Sequence, residues 1–186
     1  MSSVGTALAF LGCFAALGAA HLPGDIAAQR NADATGKAYP SNDRLAAGVH
    51  PFTGWAACLR HCRSYLLCQA VALSLVLAVI EIPLPGIIAA LVVSGTTHAV
   101  IDRRWLVQRI LAAKGCTGWR EAPFWVDQAL HWAAMFAAAL IAARTTTFTK
   151  TAVVAVAGVL LIGYALHVEH RHARRVAAGP APTDRY

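Results

Sequence analysis

Charge is scarce in this chain. Asp, Glu, Lys and Arg make up 13% of its 186 residues, about half the share of an ordinary soluble domain. A water-soluble fold is therefore excluded as the first expectation. Residues 1 to 20 contain no Lys or Arg. A secretory signal peptide normally opens with a positive region, so the cleavage-like Gly18-Ala19-Ala20 is read as part of a retained helix. No Cys-x-x-Cys pair occurs among Cys13, Cys58, Cys62, Cys68 and Cys116. That spacing argues for free, mostly intramembrane thiols over a zinc knuckle or a disulfide. No nucleophilic Ser or Cys motif is evident. No basic, aromatic-rich soluble segment is left over, so no nucleic-acid partner is expected despite a pI near 9.6.

What is present is apolar. Hydrophobic residues form 58% of the chain, and the mean hydropathy is +0.53. Five apolar segments run from about Val4 to Ala20, Trp55 to Ile82, Pro85 to Asp102, Phe124 to Ala143 and Thr151 to His167. Each is near the roughly 20 residues that cross a hydrocarbon core. The fold class expected is all-α: a polytopic membrane bundle of four or five transmembrane helices over residues 1 to 170. Two long polar loops, 30 to 54 and 103 to 123, alternate with two tight connections. The stretch from Arg103 to Val107 should continue its helix as an interfacial amphipathic segment until Gly115 breaks it. Residues 171 to 186 read as a basic, disordered tail.

Alternating spans put both long loops and the tail on one side. That side carries fourteen of the sixteen Lys and Arg residues, leaving only Arg144 and Lys150 opposite. The positive-inside rule makes it cytoplasmic, with the N-terminus outside. Thirteen arginines against three lysines, with abundant alanine, suggest a GC-rich bacterial genome and hence a bacterial inner membrane. The partners expected are the lipid bilayer and anionic lipid head groups. The five tryptophans read as an interfacial aromatic belt.

Three helix ends carry one ionisable pattern. His21 precedes Asp25, His98 precedes Asp102, and Asp127 precedes His131, each by four residues. One helical turn separates each pair, so each shares a helix face. The order reverses on the helix that runs the other way. This predicts a deep tier of His21, His98 and His131 and, about 6 Å along the axis, a shallow tier of Asp25, Asp102 and Asp127. These six are candidate ligands for a divalent metal such as zinc, manganese or iron. Asp102, Asp127 and His61 are candidate catalytic groups. Gln29, Tyr65 and Gln128 are candidate hydrogen-bonding supports, as is Thr97. Arg60, Arg63, Arg103 and Arg104 are candidate head-group ligands. Pro23-Gly24, inside the first pair, should kink or break its helix. His167, His170 and His172 read as a basic, lipid-contacting end, and Glu81 as an interfacial acid at the far side.

The chain resembles a family of small bacterial membrane proteins known only as a domain of unknown function, family 3307. The resemblance rests on His21-x3-Asp25 followed by Gln29, the His61–Tyr65 helix start, His98-Ala-Val-Ile-Asp102 and Asp127-Gln128-Ala-Leu-His131, and covers residues 21 to 131. It implies a membrane protein and no activity. More loosely, the His/Asp-bearing helices resemble those of small bacterial membrane proteins described as metal-dependent hydrolases, a likeness by analogy.

Three functions compete. A membrane-embedded hydrolase would use the metal to activate water against a lipid or lipid-linked phosphate or ester. A non-catalytic scaffold would use the pairs as a packing network and bind a protein partner through its loops. A metal or proton transporter is weakest, because the ionisable groups cluster at one face and line no full path.

Overall fold

The computed structural model describes residues 2–115 and 118–179. Cys116 and residues 180 to 186 of the expected tail lie outside them. Every regular element among the described residues is helical. The long helices are α1 (Ser3–Leu22), α4 (Trp55–Val76), α5 (Leu84–Asp102), α7 (Ala122–Arg144) and α8 (Phe148–Ala177), with short helices α2 (Asn31–Gly36), α3 (Asn42–Ala46) and α6 (Trp105–Lys114) between them.

Local chemistry sets the ends. Ser2 accepts from the Gly5 N–H at the start of α1, and Thr147 accepts from Lys150 N–H at the start of α8, each satisfying a donor that the helix leaves free. Pro83 and Pro85 open α5, where a missing N–H costs nothing. Gly115, at φ +63°, ends α6.

Four helices are long and apolar enough to cross a membrane, namely α1 with its following turn, α5, α7 and α8, which suggests membrane association. The fifth expected span, α4, falls outside this set. Arg60, His61, Arg63 and Gln69 make it too polar. It nonetheless packs lengthwise against α1 and α5. The core between helices is built from small residues. Gly86, Ala89 and Ala90 of α5 face Ala138, Ala139, Ala142 and Ala143 of α7, all buried. A Cβ on Gly86 would sit 2.5 Å from the Ala142 carbonyl oxygen, so glycine there lets the two backbones close up. Large apolar side chains point outward instead, among them Leu75, Val79 and Val159, each at least 70% exposed.

The polar connection 30 to 54 contains α2 and α3. Two expectations need correction. The stretch after Asp102 does not continue α5, because Arg104 takes a left-handed φ of 63° and starts α6 as a separate helix. Arg171 to Ala177 are not tail but the last turns of α8.

Candidate functional site

The C-terminal ends of α1 and α5 and the N-terminal ends of α4 and α7 meet at one end of the bundle. Pro23-Gly24 does not break the first helix. It converts the next turn to a π-helix, Pro23–Ala27, closed by Ala28 N–H to Pro23 O at 2.8 Å. Proline removes one donor, and the wider turn restores a hydrogen bond one residue further on. Gly24 lies against Tyr65 of α4, where a Cβ would be 3.2 Å from the Tyr65 Cα. This close approach turns Asp25 inward, to 6% exposure.

Four ligand atoms converge there. His61 Nε2 lies 2.9 Å from His98 Nε2. Asp102 Oδ2 lies 3.1 Å from His98 Nε2 and 3.3 Å from His61 Nε2. Asp25 Oδ1 lies 3.2 Å from His61 Nε2 and 3.8 Å from His98 Nε2. All four residues are buried and offer atoms within 4.8 Å of one another. Tetrahedral ligands with bonds of about 2.0–2.1 Å are about 3.3 Å apart, so the five distances scatter about that edge length. The surroundings suit ligation too. With its amide oriented so that Oε1 faces Lys37 Nζ at 2.8 Å, Gln29 also accepts from His61 Nδ1 at 3.2 Å. That leaves the His61 Nε2 lone pair facing the cluster, the usual arrangement behind a ligating histidine. Asp102 Oδ2 has no well-oriented hydrogen-bond donor despite its burial.

A second group, His21, Asp25 and His131, also has ligand spacing. Here the hydrogen bonds run one way. Gln69 Nε2 donates to the Tyr65 hydroxyl at 2.7 Å, which donates to His21 Nδ1 at 3.3 Å. His21 Nε2–H then donates to Gln128 Oε1 at 2.9 Å, and Gln128 Nε2 donates to Asp25 Oδ2 at 3.2 Å. Both His21 nitrogens are thus engaged, and the chain ends by orienting Asp25. His131 Nδ1–H donates to the Asp127 carbonyl at 2.9 Å, and its Nε2 is buried without a partner.

The two expected tiers merge into one polar layer: His98 Nε2 meets Asp102 Oδ2 at 3.1 Å, and His21 and His131 offer atoms within 4.8 Å of Asp25. Asp127 joins neither group. It stands at the rim beside His131 Nδ1 and Gln128 Nε2, at 3.5 and 3.4 Å. His61 lies at the centre of the cluster. Thr97 turns back to the Val93 carbonyl and does not reach the site.

The arginines scatter. Arg60 pairs with Asp33 at 2.7 Å. Arg63 and Arg104 are exposed. Arg103 is fully buried and closed to a head group. Its Nε donates to Glu169 Oε1 at 2.7 Å, and its Nη atoms donate to the Lys37, Thr53 and Pro51 carbonyls. Trp55 Nε1 donates to Glu169 Oε2 at 2.8 Å, so this tryptophan serves the interior and not an aromatic belt. The Tyr39 hydroxyl donates to the Glu169 carbonyl. Burial, then the Glu169 charge, push that phenol above its ordinary value.

Gln69, Lys37 and Glu169 escaped the sequence reading. Lys37 Nζ lies 2.8 Å from Asp102 Oδ1 and 3.7 Å from Asp25 Oδ1. Its only sequence signal is being one of three lysines in an arginine-rich chain. Glu169 anchors Arg103, and its signal was a lone acid inside a run of His and Arg.

A family model described as a protein of unknown function, DUF3307, matches residues 13–160. The match covers most of the chain, which belongs to that family. No curated protein and no solved structure matches it.

Proposed function

We propose that this DUF3307 protein is an integral membrane protein holding a divalent transition metal at Asp25, His61, His98 and Asp102, and that it is a metal-dependent hydrolase of a lipid or lipid-linked phosphate or ester. The observation that carries the proposal is the convergence of four buried ligand atoms at tetrahedral spacing, with the far nitrogen of His61 held by Gln29. Two imidazoles and two carboxylates suit zinc, iron or manganese. Such an ion would supply a Lewis acid and lower the pKa of a water, which needs a coordination position beyond the four protein groups or one that a carboxylate gives up.

The chain's own groups have distinct parts. Asp25 is aimed by Gln128, and His131 by Asp127. Lys37 is the buried ammonium beside the ligands, held by Asp102 Oδ1 and Gln29 Oε1. A groove of about 370 Å³ between α6 and α7 is lined by Arg104, Arg120 and Asp127. Through Asp127 the groove adjoins Gln128 and His131. The basic residues at this end support a cytoplasmic orientation for the site and the C-terminus.

Lys37 favours a second reading. Its ammonium already neutralises one of the two carboxylates, so the cluster can also serve as a helix-packing network without a metal. Metal content of detergent-purified, tag-free protein separates the two. About one divalent ion per chain, lost in His98→Ala and Asp102→Asn, supports the metal site. Wild-type protein that cannot be loaded with zinc, manganese or iron leaves the packing network. With a metal established, release of soluble product from phospholipid vesicles tests the hydrolase, and an inactive, folded Asp102→Asn is expected.

A further inference from the structure

Helix α8 has 30 residues, about 45 Å at 1.5 Å each. It therefore overruns a hydrocarbon core of about 30 Å. Residues at three- and four-residue steps form one stripe along it. Val153, Val156, Leu160 and Tyr164 come first, each at least 60% exposed, and His167, Arg171 and Arg175 follow on the same face. The stripe changes from apolar to cationic at Tyr164.

Across from the cationic end, α6 places Arg109. Two adjoining cavities of about 320 and 250 Å³ share Arg109, Val168 and His172 in their walls. The smaller is completed by Tyr164, His167, Arg171 and Arg175. Three guanidinium groups thus border one small space. Among the described residues, none of the three has a carboxylate within 4.0 Å. The nearest acid in the walls, Glu169, is held by Arg103. Like charges gathered around a cavity call for an anion, and guanidinium groups match phosphate oxygens in geometry.

We propose that this pocket between α6 and α8 binds the phosphate of an anionic phospholipid head group, with the acyl chains lying along the Val153–Tyr164 stripe. The stripe is what selects a lipid over a soluble phosphate, since only a lipid uses both halves of the face. Basic pockets beside membrane helices are suited to such head groups. The site is separate from the His/Asp cluster and needs no metal there.

Native mass spectrometry of the full-length protein in detergent, titrated with phosphatidylglycerol, phosphatidylcholine or glycerol phosphate, tests it. Phosphatidylglycerol should be retained in preference to phosphatidylcholine. Arg171→Gln and Arg109→Gln should each weaken that retention about fivefold. Arg174→Gln removes the same charge from the same helix at a residue that does not line the pocket, and should leave retention unchanged. All three positions are exposed, and an unshifted melting temperature confirms folding. Equal losses in Arg171→Gln and Arg174→Gln would reduce the effect to net charge and overturn the pocket. Absence of a preference for phosphatidylglycerol overturns it as well. Glycerol phosphate bound as tightly as the lipid would overturn the lipid assignment.

Discussion

The Lys37 ammonium lies 2.8 Å from Asp102 Oδ1, while Asp102 Oδ2 faces the His98 imidazole at 3.1 Å. One carboxylate therefore serves a fixed cation on one side and a candidate metal position on the other. Replacing Lys37 by Met leaves two buried carboxylates without their ammonium. Breaking a buried pair in this way costs about 3–5 kcal/mol. The expected result is a large loss of stability in metal-free protein that added zinc partly restores. Thermal unfolding with and without zinc measures both. A loss that zinc does not reduce would favour the packing network.

Asp102 and Asp127 should differ in kind. Asp102→Asn removes a proposed ligand and should abolish metal retention. Asp127→Asn keeps the backbone carbonyl that holds His131 and changes only the carboxylate at the rim. A supporting group of this sort is worth at most about 10–100-fold in affinity. Competition titration against a chromophoric chelator separates the two. Equal effects would contradict the ligand set assigned here.

Metal should stabilise the fold by mass action. At a free concentration about 100 times the dissociation constant, the gain is about 2.7 kcal/mol. Chelation should remove it, and His98→Ala should show neither effect. Unfolding midpoints across a zinc titration give the comparison.

Arg103 and Glu169 tie α5 to α8 and the loop between α2 and α4. Arg103→Met strands Glu169 without its charge partner and should cost about 3–5 kcal/mol. Glu169→Met should cost a similar amount. The double variant should lose less than the sum, because neither charge is left alone. Additive losses would mean that the carbonyl contacts of Arg103, and not the pair, hold this region.

Gly24→Ala tests the π turn. Its methyl group would meet Tyr65 Cδ2 at 3.0 Å and Tyr65 Cα at 3.2 Å. Overpacking of this kind costs about 1–3 kcal/mol, and the displaced turn should carry Asp25 away and weaken metal retention. Gly163→Ala, with nothing within 4 Å, should be neutral or slightly stabilising. A Gly24→Ala protein with wild-type metal affinity would separate Asp25 from the site.

Much of the site is visible in the order of residues. A four-residue spacing places His98 with Asp102 on one helix face whatever else the chain does. The reversal at Asp127 and His131 follows from the opposite run of α7. The ends of α1, α5 and α7 were therefore legible as one region. The division of labour within it was not. Asp127 and Asp102 look alike in sequence, but only Asp102 is carried into the bundle, where its carboxylate meets His61 from another helix. Arg103 and Arg104 are neighbours. The left-handed turn at Arg104 sends one inward to Glu169 and leaves the other exposed.

Apolar periodicity, the scarcity of charge and the helix-end pairs by themselves determined an all-helical chain with its His/Asp pairs at one end. Those are local properties, set by hydrophobic burial and the repeat of the helix. Tertiary structure alone decided that Lys37 enters the cluster, that Glu169 neutralises Arg103, and that Gly24 admits Asp25. Each of these depends on contact between segments far apart in the chain. Their energies come from distance and burial, and neither is written in the spacing of residues along one helix.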